Sequence, residues 1–110
     1  MKIKRDKYLQ KRGGTAKIMN VSCVKCGNSV LVYQKDGPGW LKRCYLNRII
    51  APPEFACLQH NSLIKEPKDL GNLRCKCGEV IGFPVIHKDK RLAFHLFKGK
   101  FKRSPYKEIR

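Results

Sequence analysis

Two cysteine knuckles constrain this chain more than anything else in it: Cys23-Val24-Lys25-Cys26-Gly27 and Cys75-Lys76-Cys77-Gly78. Each can offer two thiolates to one metal ion, and each is followed by glycine. A glycine there lets the backbone turn back under the metal through a left-handed conformation that a side chain would oppose. Four thiolates at about 2.3 Å make a closed tetrahedral zinc site with no position left for water. The 48 residues between Cys26 and Cys75 exceed the spacing of a simple zinc finger, so the insert must supply strands of its own. The economical arrangement places the knuckles at the tips of two hairpins that meet across a small antiparallel sheet.

Two further cysteines widen the choice of ligands. The first knuckle followed by Cys44 and Cys57 would also close a four-thiolate site, and Cys57-Leu58-Gln59-His60 has ligand spacing of its own. Free cysteine, however, packs as a small hydrophobe. Cys44 lies in an apolar segment and is read as core, and Cys57 is read the same way. His87 and His95 have no cysteine at paired spacing, which puts them on a strand face or the surface. The favoured set is Cys23, Cys26, Cys75 and Cys77, with Zn2+ as the ion.

Disulfides are the competing use of six cysteines. A bridge across the one residue separating Cys75 from Cys77 would be strained. Residues 1–20 contain no continuous apolar stretch of the kind a signal peptide needs, so a cytoplasmic chain is expected, where paired cysteines hold metals. No run approaches the ~18 apolar residues of a membrane span.

Charge says what sort of partner to expect. Lysine and arginine number 25 against 8 acidic residues, a net +17. Residues 1–20 carry seven basic side chains and one acidic, and residues 86–110 carry nine and two. The middle has the balance of an ordinary folded module. Basic side chains kept only for solubility would be intermixed with acids, so this distribution reads as a footprint for a polyanion. The expected domains are a basic N-terminal arm over residues 1–20, a zinc-binding β module over 21–100 and a basic tail over 101–110.

Within the module the pattern is mainly β. Val30-Leu31-Val32-Tyr33 reads as a strand, and Asp36-Gly37-Pro38-Gly39 as a turn. Residues 40–50 fit helical and strand spacing equally, and Pro52-Pro53 ends the element either way. Residues 54–72 read as irregular. Residues 80–86 are apolar apart from Gly82 and Pro84, which predicts an edge strand or a bulge. Residues 91–97 alternate, with Leu92, Phe94 and Leu96 inward and Arg91, His95 and Phe97 on the other face. Tyr8 and Leu9 fit a short helical turn within an otherwise mobile arm.

The segment Cys75-Lys76-Cys77-Gly78-Glu79-Val80-Ile81-Gly82-Phe83 resembles the β-tent zinc folds. These include the yippee proteins, the thalidomide-binding domain of cereblon and methionine sulfoxide reductase B. The resemblance implies a zinc-stapled sheet, while the zinc ribbons of ribosomal and transcription proteins stay equally open. It does not carry over activity. The reductase needs a cysteine after the second knuckle and none follows Cys77; the cereblon pocket needs a cage of tryptophans and Trp40 is alone.

The expected function is a non-enzymatic zinc protein that binds RNA, as a ribosomal or ribosome-associated component. Lys2, Lys4, Arg5, Lys7, Lys11 and Arg12 are the phosphate-binding candidates of the first arm, and Lys98, Lys100, Lys102 and Arg103 those of the second. Tyr8, Phe97, Phe101 and Tyr106 could stack on unpaired bases, with Phe97 and Phe101 better explained by core or tail packing. The alternatives are a module that docks on an acidic protein, or a DNA-binding zinc ribbon. No small-molecule substrate is expected, because four thiolates close the metal site, and only Cys57 with His60 resembles a nucleophile and base.

Overall fold

The computed structural model describes residues 3–106, whose eight strands form two four-stranded antiparallel sheets. In the first, β2 (Ser29–Asp36) is flanked by β1 (Ala16–Cys23) and β4 (Ile49–Ala51), and β8 (Phe101–Pro105) closes the other side of β1. Residues 30–35 are all buried, so an interior strand covered on both faces explains the unbroken apolar run at its start. The second sheet runs β3 (Arg43–Tyr45), β7 (Leu92–Leu96), β6 (Val80–Ile86), β5 (Leu73–Arg74). Val21, Leu31 and Tyr33 from the first sheet meet Cys44, Leu73, Ile81, Phe94 and Leu96 from the second in one core.

Residues 40–50 are neither a helix nor one strand. They form β3, a single 3-10 turn at Leu46–Arg48 and β4, and so carry the chain from the second sheet to the first. Leu41, Cys44, Leu46 and Ile49 all enter the core along this crossing, which is why both periodicities fitted. The Tyr33 hydroxyl accepts the Tyr45 N–H at 2.9 Å and ties the sheets together there.

In β6 the bulge reading holds, and the edge reading holds only for the Pro84 end, since β7 and β5 flank the rest. Leu73 pairs with Gly82 but Arg74 with Val80, leaving Ile81 as the extra residue, turned fully into the core. β5 ends before it reaches Pro84, which leaves that stretch of β6 open on one side, where proline is tolerated. β7 alternates as expected for Phe94 and Leu96. Phe97 is not core: it is 39% exposed and stacks at 5.3 Å on Phe83, which stacks in turn at 5.1 Å on His95. Phe101 does pack against the core.

The stretch expected to be a mobile arm is tied into the fold from residue 4 onward. Asp6 caps a short helix, α1 (Lys7–Lys11), its Oδ1 accepting the N–H groups of Tyr8 and Leu9 at 3.0 and 3.1 Å. Leu9 is fully buried. The Lys4 N–H donates to Gln34 Oε1 at 2.7 Å, and Gln34 Nε2 donates back to the Lys4 carbonyl at 2.9 Å. Residues 16–20 belong to β1. At the other end, β8 pairs with β1 from Met19↔Pro105 to Cys23↔Phe101, so residues 101–105 are strand rather than tail.

Candidate metal centre and basic surface

Each knuckle is the tip of a hairpin, and the two hairpins belong to different sheets. In the first, between β1 and β2, Gly27 N–H bonds the Cys23 carbonyl at 2.8 Å with φ +79° at the glycine. In the second, between β5 and β6, Gly78 N–H bonds the Cys75 carbonyl at 2.9 Å with φ +96°. Both glycines thus occupy the left-handed conformation the motif requires.

The tips bring Cys23, Cys26, Cys75 and Cys77 together, with all four Sγ atoms within 4.8 Å of one another. Cys23 and Cys77 stand 3.7 Å apart, and Cys26 and Cys75 3.4 Å. A tetrahedron with bonds of about 2.3 Å has edges of about 3.8 Å, so the spacing fits a tetrahedral thiolate site. Cys23 and Cys75 are buried, while Cys77 lies exposed on the outer side. The described residues therefore hold a cluster able to take a metal ion, stapling one sheet to the other.

The thiols feel one another. Cys26 falls to about 7, first because the Asn28 N–H points at its Sγ, then through the neighbouring thiols. Cys75 rises to about 12: the Cys77 backbone N–H opposes the shift, but burial and the other three thiols outweigh it. Groups this close resist ionising together, and a cation among them reverses that penalty.

The remaining candidates separate cleanly. Cys44 is fully buried and its thiol is raised by that burial, as a core residue should be. Cys57 corrects the sequence reading, being exposed on a 3-10 turn at Cys57–His60, where its Sγ lies 3.7 Å from the Glu54 carbonyl. His60 is exposed on the same turn. His87 packs edge-on to Tyr45 and His95 lies beside Phe83, both away from the thiols.

The basic candidates do not form two free arms. Lys2 lies outside the described residues. Arg5, Lys7, Lys11, Lys98 and Lys102 are exposed. Lys4, although exposed, directs its ammonium to the fold itself, donating to the Asn47 carbonyl at 2.8 Å and Gln59 Oε1 at 2.7 Å. Arg12 reaches the Pro38 carbonyl at 2.9 Å, Lys100 pairs with Glu79 at 3.3 Å, and Arg103 lies over Trp40 at 5.8 Å. Tyr8 faces Arg91 instead of open solvent, at 3.7 Å from ring centre to guanidinium.

Sequence reasoning missed a second group of cations. Lys35, Lys42 and Arg43 come from the middle of the chain and converge with Lys11, Arg12, Lys88 and Arg91 on one cleft. The lysines and arginines around Gly37-Pro38-Gly39-Trp40 carried the only sequence signal, a basic stretch following a turn. No protein-family profile, curated protein or solved structure matches the chain, so the likeness to β-tent folds stays at two cysteine knuckles in a small β protein.

Proposed function

We propose that this protein holds Zn2+ at Cys23, Cys26, Cys75 and Cys77 and binds RNA without catalysing a reaction, as a ribosomal or ribosome-associated component in the cytoplasm. All four donors are sulfur at tetrahedral spacing, a set that suits zinc and leaves no open ligand position.

The observation that carries the RNA reading is where the few acids go. Asp6 and Asp36 both serve the buried Arg48, Asp89 serves Arg91, and Glu79 serves Lys25 and Lys100. These four carboxylates are thus used within the fold, and exposed cations such as Arg5, Lys7, Lys11, Lys42, Lys98 and Lys102 form no ion pair among the described residues. Such a surface gains by neutralising phosphates and releasing their counterions.

Sedimentation of a native extract at low and high salt tests this. Cosedimentation with a ribosomal subunit that survives high salt marks an integral component, and release at moderate salt a peripheral RNA binder. Absence from ribosomal fractions at every salt overturns the ribosomal reading and shifts it to DNA or an acidic protein.

A further inference from the structure

At the end of β1 and β2 opposite the knuckle, a cleft of about 630 Å³ opens between α1, the turn around Gly39 and the second sheet. Three features of its walls are unusual. Lys35 is only 6% exposed, yet its ammonium's hydrogen bond is to the Gly37 carbonyl, at 2.8 Å, with no carboxylate bonded to it. Burial disfavours its charge first, and the nearby Arg12, Arg103 and Lys17 add to this. Asp36 offsets this in part but is already paired with Arg48, and seven lysines and arginines line the cleft against Asp36 and Asp89, so an anion there would be stabilised by several cations at once.

The second feature is Arg91. Its guanidinium lies between the rings of Tyr8 and Tyr45, 3.7 and 3.8 Å from their centres. Asp89 takes its Nε at 2.9 Å, but Nη1 is buried without any acceptor. Unpaired buried donors are rare in folded proteins and call for an explanation. The third is Trp40 at the cleft's lip, 82% exposed although indole is among the largest apolar surfaces a side chain can offer.

An anion-seeking floor beside an uncovered aromatic ring matches a ligand that is both phosphate and planar base. We infer that this cleft takes an unpaired nucleotide, with its base against Trp40 and its phosphate at Lys35 and Arg12. The inference rests on the RNA reading for its source, a nucleotide within a single strand; a free mononucleotide offers the same chemistry. The Tyr8–Arg91–Tyr45 stack holds α1 against the second sheet and so keeps the wall rigid.

Trp40 is the chain's one tryptophan, so its fluorescence reports on the cleft alone. The full zinc-loaded chain is titrated with inorganic phosphate, uridine 5′-monophosphate, a single-stranded octauridylate and an RNA duplex of equal length, with labelled RNA followed by anisotropy in parallel. The expected result is that the octamer quenches Trp40, the mononucleotide competes with it, and the duplex binds without quenching. Trp40→Ala should weaken octamer binding about tenfold, the scale of one base stacked on an aromatic ring. Lys42→Ala, at an exposed cleft residue, should weaken it several-fold, and Lys68→Ala, on a 3-10 turn outside the cleft, should not. Lys35→Met adds a buried test where the fold tolerates it.

Octamer binding by anisotropy with Trp40 silent and Trp40→Ala unaffected overturns the cleft while leaving the RNA reading standing. Mononucleotide binding without any RNA binding keeps the cleft as a site for free nucleotides and removes the RNA reading. Binding of neither overturns both.

Discussion

Asp6 and Arg48, 42 residues apart, form an ion pair that fastens the start of the chain to the crossing between the sheets. Arg48 Nη1 meets Asp6 Oδ2 at 2.9 Å while Nε of the same guanidinium meets Asp36 Oδ2 at 2.9 Å. Arg48 is 2% exposed, so the cost of removing its charge from water is met by two carboxylates from distant parts of the sequence. Asp6 does double service, since its other oxygen caps α1.

Replacing Asp6 with Ala therefore removes a helix cap and half of the partners of a buried cation. A cap alone is worth about 1 kcal/mol, and the lost ion pair is discounted because Asp36 stays and Asp6 is partly solvated. The expected loss is about 2 kcal/mol in urea unfolding, with Asp6→Asn intermediate. A loss indistinguishable from zero would mean that the N-terminal segment is not docked in solution.

The same contact makes stability depend on acid. The Arg48 hydrogen bond, aided by the α1 N–H groups, holds the Asp6 carboxyl down to about 2. An unfolded aspartate titrates near 3.9. The folded value is the lower one, so the contribution is complete above about pH 4 and is lost as pH falls toward 2. Urea midpoints measured from pH 5 to pH 2 should fall less steeply in Asp6→Asn than in the parent.

Leu9→Ala tests the docking without touching charge. The side chain is fully buried, and large-to-small changes at such sites cost about 2–5 kcal/mol. Thermal unfolding should show a clear drop in midpoint, while a segment that only awaited a partner would show none.

Gly82 has a different reason to be irreplaceable. A Cβ there would sit 2.6 Å from the His95 carbonyl oxygen and 3.4 Å from Leu96 Cα. Both are backbone of the neighbouring strand β7, which cannot swing aside as a side chain would. Gly82→Ala should cost about 1–3 kcal/mol through forced separation of β6 and β7, measured by thermal or urea unfolding.

Thiol chemistry separates the six cysteines. In the zinc-loaded protein Cys57 should react rapidly with a thiol reagent, Cys44 should stay protected by burial, and the four ligands should react only as metal is withdrawn. A strong chelator should release one zinc per chain and loosen the fold, with loss of near-ultraviolet dichroism. Rapid reaction of five thiols before chelation would argue against the four-thiolate centre.

The cluster of four cysteines and the β character could be read from the sequence because both are local codes. Knuckle spacing and the glycines at 27 and 78 describe a turn around an ion, and alternation in residues 91–97 describes a strand face. What could not be read depends on distant partners. Lys4 looked like a phosphate ligand because nothing near it in sequence reveals Asn47 or Gln59. Leu9 was one apolar residue in a charged stretch, and only the packed fold shows that it is core. Lys35 and Arg91 are 56 positions apart, so their shared cleft exists only once two sheets are stacked.

The thiolate cluster and the cleft stand at opposite ends of β2, one at Ser29 and the other at Asp36, with about 3.3 Å of strand per residue between them. The cluster clasps the two sheets at one edge, and the cleft is bounded by residues of both sheets at the other. On the zinc and RNA readings proposed above, withdrawing the metal would release the sheets at one end and is expected to alter the grip at the other, although no cysteine lines the cleft.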